Sequence, residues 1–202
     1  MIEPGLLLAL TTFALVSSIT PGPNNLMLMA SGTNFGFRRT VPHMLGVAIG
    51  FTLMIVLVGL GLMQIFATLP AAYTVIKVAS VLYLLWMAWH IATAPPPSAN
   101  PQAAGKPFTF LQAALFQWVN PKAWTMAVTA LSAYMPAGDR LTGLLTVACV
   151  FGAINLPSVG SWAWMGVQMR RWLSDPVKLR AFNVVAALLL VGSLWPIVAG
   201  GH

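Results

Sequence analysis

The 202-residue sequence predicts an all-α membrane protein whose six transmembrane helices form two three-helix repeats of inverted topology. Composition indicates the membrane class, because 58% of the residues are hydrophobic and only 6% are charged, whereas a soluble domain has about 25% charged residues. The mean hydropathy is +0.83. The apolar runs 53–63 and 184–192 lack the alternation of polar and apolar residues that barrel strands show. Helices are therefore the predicted spanning elements.

Six apolar segments approach the roughly 20 residues that a helix needs to cross a bilayer. The predicted spans are at about 5–30, 43–66, 70–92, 108–135, 141–167 and 181–199. The longest connection, 94–107, contains three consecutive prolines and resembles a linker in composition. The predicted organisation is a first repeat at 1–93, a cytoplasmic linker at 94–107 and a second repeat at 108–202.

The basic residues predict the orientation of these spans. Six spans place the loops alternately on two sides, and one side carries seven of the ten Lys and Arg residues: Arg38, Arg39, Lys106, Arg170, Arg171, Lys178 and Arg180. The other side has Arg140 alone, while Lys77 and Lys122 fall inside spans. Because cytoplasmic loops carry an excess of Lys and Arg, both termini are predicted to lie outside. The net charge of +7 is thus a topology signal, and no nucleic-acid partner is predicted.

The first and fourth predicted spans are interrupted by proline. Residues 20–24 read TPGPN and residues 120–124 read NPKAW, and proline removes an amide donor and clashes with the preceding turn of a helix. Pro21 and Pro121 are 100 positions apart, as are Phe51 and Phe151. Each repeat has an odd number of spans, so the second repeat enters the membrane inverted, as in many secondary transporters.

Both breaks lie about 14 residues into their spans, which is roughly 20 Å of helix and therefore close to the middle of the bilayer. Backbone groups freed at that depth must be buried in protein or line a cavity. New helices are predicted to begin near Pro23 and Pro121, since proline suits the first helical position. Their N-terminal amides and positive dipole ends suit a small anion or a carboxylate.

Asparagines at a similar depth complete the predicted site. Asn155 lies about 14 residues into the fifth span, beside Pro157, and an asparagine side chain both donates and accepts hydrogen bonds. The predicted substrate-binding residues are Pro21, Gly22, Pro23, Asn24, Asn25, Asn120, Pro121, Lys122, Trp124 and Asn155.

Lys122 is the main ionisable residue predicted at the centre, because Glu3, Asp139 and Asp175 all lie at span edges. It either binds a substrate carboxylate or carries a proton, and the sequence leaves both roles open. A lysine that snorkels to the interface is the structural alternative. The three histidines are far apart without metal-ligand spacing, so neither a metal nor another cofactor is predicted.

Several motifs together resemble the lysine-exporter (LysE) translocator family. They are TPGPN at 20–24, the basic stretch 37–39, Gly46 and Gly50 in the second span, and FQWVNPKAW at 116–124. The likeness covers essentially the whole chain, and it is strongest to the homoserine/threonine-exporter branch and, within it, to exporters of cysteine and O-acetylserine. This resemblance implies a six-helix protein of the bacterial inner membrane that exports small amino acids, driven by the proton gradient.

One position departs from the family pattern. Many members carry Asp where this chain has Asn24, so a carboxylate proton carrier at the centre is in doubt here. With no acidic residue inside any span, the site has little to attract a dibasic substrate. Neutral amino acids are the predicted substrate class.

The predicted function is that of a secondary transporter exporting a small amino acid or related metabolite, with membrane lipid as its other partner. A membrane enzyme is the less favoured alternative, because no nucleophile–base pair or metal motif is present. A passive channel or an assembly subunit also stays open. The sequence does not determine the oligomeric state, and a homodimer through Gly- or Ala-rich helix faces is one option.

Overall fold

The computed structural model describes residues 3–62, 70–94, 106–135, 139–170, 172–173 and 175–192, and these residues form helices with no strand. The helices are α1 (Pro4–Ile19), α2 (Pro23–Phe35), α3 (Phe37–Leu57), α4 (Pro70–Ala92), α5 (Phe110–Phe116), α6 (Pro121–Ala133), α7 (Arg140–Met169) and α8 (Pro176–Gly192). A π-helical turn, Val58–Leu62, follows α3, and a 3-10 turn, Gln117–Val119, follows α5.

Two helices in the described ranges are long and apolar enough to cross a bilayer on their own, Phe37–Gly61 and Arg140–Met169. The pair α1 and α2 adds a third candidate span if the two are counted as one helix bent by 52°. Shorter apolar helices occur at Val81–Ala92 and Phe110–Val119. The all-α membrane class is confirmed, while the six-span arrangement stays a prediction.

Both predicted helix breaks are present. In the first, α1 ends at Ile19 and α2 begins at Pro23. In the second, the 3-10 turn and Asn120 precede α6, which begins at Pro121. The prediction that new helices begin near the two prolines is confirmed. By contrast, α7 continues unbroken through Pro157.

The helices that contain the second and sixth predicted spans begin several residues before those spans. Helix α3 begins at Phe37 rather than near 43, and α8 begins at Pro176 rather than near 181. At the first of these, Gly36 has a φ of 80°, which ends α2 and starts α3 with no loop between them; glycine adopts this conformation without steric cost. Hydropathy marks where a helix becomes apolar, whereas Arg and Lys are good helix formers and extend it further.

Helix α7 is central to the fold, because α1, α2 and α3 all pack against it. The contact between α2 and α7 depends on two glycines: a Cβ on Gly32 would overlap the backbone of Ala163, and a Cβ on Gly166 would overlap that of Met29. A third close contact brings Gly50 of α3 against Ala114 of α5, where an added Cβ would lie 2.6 Å from the Ala114 Cα. Small residues thus let these helices approach closely, as at many membrane helix interfaces.

Aromatic rings join the two halves of the chain at the core. Phe51 of α3 and Phe151 of α7 are both buried, and their ring centroids lie 5.5 Å apart in an edge-to-face arrangement. Phe13 of α1 packs on Phe151 with centroids 6.1 Å apart. The two residues that the sequence places 100 positions apart are therefore in direct contact.

Some predictions concern residues outside the described ranges. They are the proline-rich part of the linker at 95–105, the ends of the second and sixth spans at 63–66 and 193–199, the loop residue Arg171 and the side chain of Lys77.

Candidate functional site

The first helix break leaves the last carbonyls of α1 without intrahelical partners, and distant side chains satisfy them. Ser18 O and Thr20 O each accept a hydrogen bond from Asn25 Nδ2 at 2.8 Å. Ile19 O accepts one from Trp162 Nε1 at 3.0 Å. Asn25 of α2 and Trp162 of α7 thus fix the break in its non-helical form.

Lys122, from the second half of the chain, completes this capping. Its Nζ donates to Thr20 O at 2.6 Å, to Thr20 Oγ1 at 3.0 Å and to Pro21 O at 3.4 Å. The ammonium therefore sits at the negative end of the α1 dipole, where a cation is stabilising. Gly22 makes room for the lysine, since a Cβ there would lie only 2.7 Å from Lys122 Cδ.

The second break is built differently. Asn120 caps α6, and its Oδ1 accepts a hydrogen bond from the backbone N–H of Lys122 at 3.1 Å. An asparagine at this position typically stabilises a helix by about 1 kcal/mol relative to alanine. The corresponding N-cap of α2 is Gly22, which has no side chain to accept from the amides that follow it.

A pair of side-chain amides connects the two breaks. Asn24 Nδ2 donates to Gln117 Oε1 at 2.9 Å, and Gln117 Nε2 donates back to Asn24 Oδ1 at 3.1 Å. Gln117 Nε2 also donates to Ala113 O at 2.9 Å, and the Gln117 side chain is fully buried. The first turn of α2 is thereby held against the 3-10 turn that precedes α6.

These contacts surround one small polar cavity. It is lined by Ser17, Ser18, Gly22, Asn24, Asn25, Phe51, Gln117, Asn120, Lys122, Ala123, Met126, Asn155 and Val159. The free volume is about 20 Å³, which leaves room for only a few water molecules. A solute as large as an amino acid would need the cavity to widen.

The structure brings most of the predicted site residues together. Six of the ten line the cavity: Gly22, Asn24, Asn25, Asn120, Lys122 and Asn155. Pro23 and Pro121 occupy the first positions of α2 and α6, and Pro21 contributes its carbonyl to Lys122. These prolines shape the breaks without lining the cavity.

Trp124 lies apart from the cavity. Its Nε1 donates to Trp118 O at 2.9 Å, and the two indole rings are in edge contact with centroids 6.1 Å apart. Both rings pack against the apolar core formed by α1, α3, α6 and α7. Helical geometry gives the reason, because Trp124 is two residues after Lys122 and so points to a different face of α6.

Sequence reasoning missed several lining residues. Gln117 is the most important, since it pairs with Asn24, and Ser17 and Ser18 contribute polar groups from the end of α1. One signal was available for Gln117, which is a polar residue within an apolar span, three positions before Asn120. The apolar wall residues Phe51, Met126 and Val159 carry no signal distinguishing them from other core residues.

The electrostatics of the cavity favour a carboxylate near Lys122. Among its lining residues Lys122 is the sole charged side chain, and none is acidic. The uncapped N-terminus of α2 adds a positive dipole end on the same side. In the described part of the chain, no group of three or more His, Cys, Asp or Glu residues could hold a metal ion.

Comparison with known proteins identifies the family. Residues 15–193 match the family described as LysE type translocator. The chain belongs to the LysE translocator family. Its members are transporters, which confirms the prediction of a translocator rather than an enzyme.

Curated relatives are similar over nearly the full length of the chain. The cysteine/O-acetylserine efflux proteins of Escherichia coli strain K12 and of Shigella sonnei are each 35% identical to it over 190 residues, which are 93% of this chain and 95% of the relative. The protein of the same name in Shigella flexneri is also 35% identical. No solved structure matches the chain.

Proposed function

We propose that this LysE-family protein is a secondary active transporter that exports a small neutral amino acid or a related metabolite across the bacterial inner membrane. The observation that carries the proposal is the polar cavity between the two helix breaks, where Lys122 from one half of the chain caps α1 of the other. Broken helices around a midplane site are typical of secondary transporters.

The proposed architecture is six transmembrane helices in two inverted repeats, residues 1–93 and 108–202, joined by the linker 94–107. Two contacts support a two-fold axis between the repeats. Phe51 meets Phe151, and Gly22 lies against Lys122, and each pair is 100 positions apart in sequence. Equivalent residues meet where they lie close to the axis that relates them, so these contacts support a cavity at the proposed axis.

The proposed substrate site comprises the residues predicted from the sequence other than Trp124, together with Ser18 and Gln117. Within it, Lys122 either binds the substrate carboxylate or carries the coupled proton, and the amides of α2 support a negative charge. Pro21, Pro23 and Pro121 act through the backbone, because they create the helix ends that face the cavity.

Cysteine and O-acetylserine are the first substrates to test, because they appear in the names of the relatives. Both are small and carry one ammonium and one carboxylate. A cavity lined by one lysine and no acidic side chain suits such a solute better than a dibasic amino acid. The apolar wall formed by Phe51, Met126 and Val159 suits a short side chain.

Alternating access follows from the size of the cavity and the symmetry of the repeats. Because the cavity holds only a few waters, binding and release both require it to widen, and rocking one repeat against the other widens it first on one side and then on the other. Both termini are proposed to lie outside, which places Arg38, Arg39, Lys178 and Arg180 at the cytoplasmic surface.

Counterflow in proteoliposomes tests the proposal. Vesicles are loaded with unlabelled cysteine, threonine, homoserine or leucine, and uptake of labelled cysteine is followed. We expect transient accumulation of label above its outside concentration with the transported solute, and faster efflux when an imposed proton gradient is discharged. Lys178→Gln on exposed α8 is the matched control for Lys122→Gln.

Three results would contradict parts of the proposal. Equilibration without accumulation indicates a channel, because a channel cannot concentrate its substrate. The absence of exchange with every amino acid contradicts amino-acid transport. Full, still pH-driven exchange by Lys122→Gln excludes both roles given to that residue.

A further inference from the structure

One lining residue of the cavity has a polar atom without a partner. Asn155 on α7 is buried, with 5% of its surface exposed. Its Nδ2 donates to Ser18 Oγ at 3.4 Å, while its Oδ1 is buried and accepts no hydrogen bond from the described residues. An unsatisfied buried acceptor is costly, and natural structures rarely retain one without a role.

Asn155 differs in this respect from the other asparagines of the cavity. Asn24 exchanges two hydrogen bonds with Gln117, the side chain of Asn25 holds α1 carbonyls, and Asn120 caps α6. Each of these three has a structural partner. Among the fully buried side-chain atoms of the described cavity lining, the carbonyl oxygen of Asn155 is the acceptor without a partner.

The only other unpartnered buried side-chain atoms in the described ranges are the two ring nitrogens of His43. That ring packs edge-to-face against Phe108, with centroids 5.3 Å apart, and it does not line the cavity. Asn155 is thus distinguished by having both an unsatisfied acceptor and a place in the cavity wall.

Asn155 and Lys122 contact the C-terminal end of α1 from two different helices. Asn155 Nδ2 donates to Ser18 Oγ, and Lys122 Nζ donates to Thr20 O. Both residues also line the cavity, so an unpartnered acceptor and a donor cation border the same space. An α-amino acid carries its carboxylate and ammonium on the same carbon, so one solute in this cavity presents an acceptor and a donor together.

We infer that Asn155 Oδ1 accepts a hydrogen bond from the α-ammonium of the substrate while Lys122 holds the carboxylate. The site then recognises zwitterionic α-amino acids and rejects analogues that lack either group. This inference rests on the proposed transport function and adds to it the specificity for the amino group. A neutral amide oxygen satisfies one ammonium without providing the negative charge that would favour a dibasic solute.

Competition in the counterflow assay tests this inference. Labelled cysteine is exchanged in the presence of unlabelled cysteine, of 3-mercaptopropionate, which lacks the amino group, or of cysteamine, which lacks the carboxylate. For the unsubstituted protein we expect each analogue to compete about 10- to 100-fold less well than cysteine, the range for one lost hydrogen bond to a charged group.

Substitutions of Asn155 test whether this residue recognises the amino group of the substrate or only stabilises the fold. In Asn155→Leu we expect cysteine to lose most of its advantage over 3-mercaptopropionate while its advantage over cysteamine persists. Asn155→Asp keeps an acceptor at this position and is expected to preserve discrimination against 3-mercaptopropionate. Asn183→Leu is the matched control, because it replaces a buried asparagine that pairs with Asn34 outside the cavity. We expect cysteine to keep its full advantage over both analogues in this variant.

The outcomes distinguish this inference from the proposed function. If no amino acid is exchanged, the proposed function fails and the inference fails with it. If cysteine is exchanged but 3-mercaptopropionate competes equally well in the unsubstituted protein, only the inference is overturned. An unchanged ratio in Asn155→Leu overturns it as well, and the competition assay on the unsubstituted protein decides the matter if that variant does not fold.

Discussion

The two helix breaks occupy equivalent places in the sequence, but they are stabilised in opposite ways. At the first break, the carbonyl end of α1 is capped by side chains from three other helices, while the N-cap of α2 is a glycine. At the second, a 3-10 turn leads directly into α6, whose N-terminus is capped by its own Asn120.

The difference indicates a division of roles. The second break is stabilised locally, because the residue that caps its helix belongs to the same segment of the chain. The first break depends on Lys122, Asn25 and Trp162 and leaves the amide end of α2 without a side-chain cap. In the proposed transport cycle, a carboxylate therefore binds at the first break, which rearranges when Lys122 exchanges a carbonyl for the ligand.

The largest effect is expected from Lys122→Gln. This change removes the charge that caps α1 and binds the proposed carboxylate, so counterflow of cysteine should fall by about 10- to 100-fold or more, the value of a charge-assisted hydrogen bond. Lys178→Gln, on an exposed part of α8, should exchange at the unsubstituted rate. If both variants behave alike, the first break does not depend on its distant cap.

A smaller loss is expected from Gly22→Ala, which adds a methyl group 2.7 Å from Lys122 Cδ. The backbone of Gly22 is extended, with φ near −173°, so alanine adopts it without strain. The flexible lysine moves instead, and its ammonium leaves Thr20 O. We expect about a tenfold loss of counterflow with little change in thermal stability.

Gly192→Ala is the control for this prediction, because none of the described residues lies within 4 Å of the added Cβ at that position. Its transport should be unchanged. In a background that already carries Lys122→Gln, the Gly22→Ala change should have no further effect on transport. An additive loss would mean that Gly22 acts independently of the lysine.

Asn120→Ala tests the local stabilisation of the second break. Losing the N-cap should lower the free energy of unfolding by about 1 kcal/mol, which for a chain of this size corresponds to a fall of roughly 2–4 °C in the melting temperature. Thermal unfolding in detergent measures it. Asn120→Ser, which keeps a capping oxygen, should be close to the unsubstituted protein, and a loss as large as that of alanine would contradict the capping role.

The smallest effect is expected at Asp139, the N-cap of α7, which offers a third helix N-terminus for comparison. The hydrogen bonds from the Thr142 hydroxyl, at 2.7 Å, and from its backbone N–H, at 2.9 Å, hold the pKa of the Asp139 carboxyl below its usual value. The ionised carboxylate therefore stabilises the fold fully above the ordinary carboxyl pKa of about 3.9, and this contribution is lost as the pH falls through the lowered folded-state pKa.

Thermal unfolding between pH 7 and pH 3 checks this dependence. Asp139→Asn retains a capping oxygen but cannot titrate, so the difference in melting temperature between it and the unsubstituted protein should shrink as the pH falls. A constant difference across this range would exclude the carboxylate as its source.

Much of the site was predictable from local chemistry. The prolines at positions 21, 23 and 121 remove amide donors and suit the first position of a helix, so both breaks and both new helix starts were predicted from the sequence. Proline alone does not decide this, because α7 continues through Pro157. Asn24, Asn25, Asn120, Lys122 and Asn155 were predicted because polar side chains at mid-membrane depth need partners. The helix face that Trp124 occupies and the residues at which α3 and α8 begin did not follow from the sequence, because depth alone does not determine a helix face or how far polar residues extend a helix.

The sequence by itself determined the membrane class, the two breaks, the few polar residues at the depth of those breaks and the resemblance to the LysE family. Each follows from residue chemistry that acts locally or from composition. Only the tertiary structure decided which groups pair. Lys122 pairs with the end of α1, Asn24 pairs with Gln117, and Asn155 keeps a carbonyl oxygen that has no partner in the described residues. Those contacts join residues up to 137 positions apart. Like the close approach of α2 and α7 at Gly32 and Gly166, they are not specified by any local pattern.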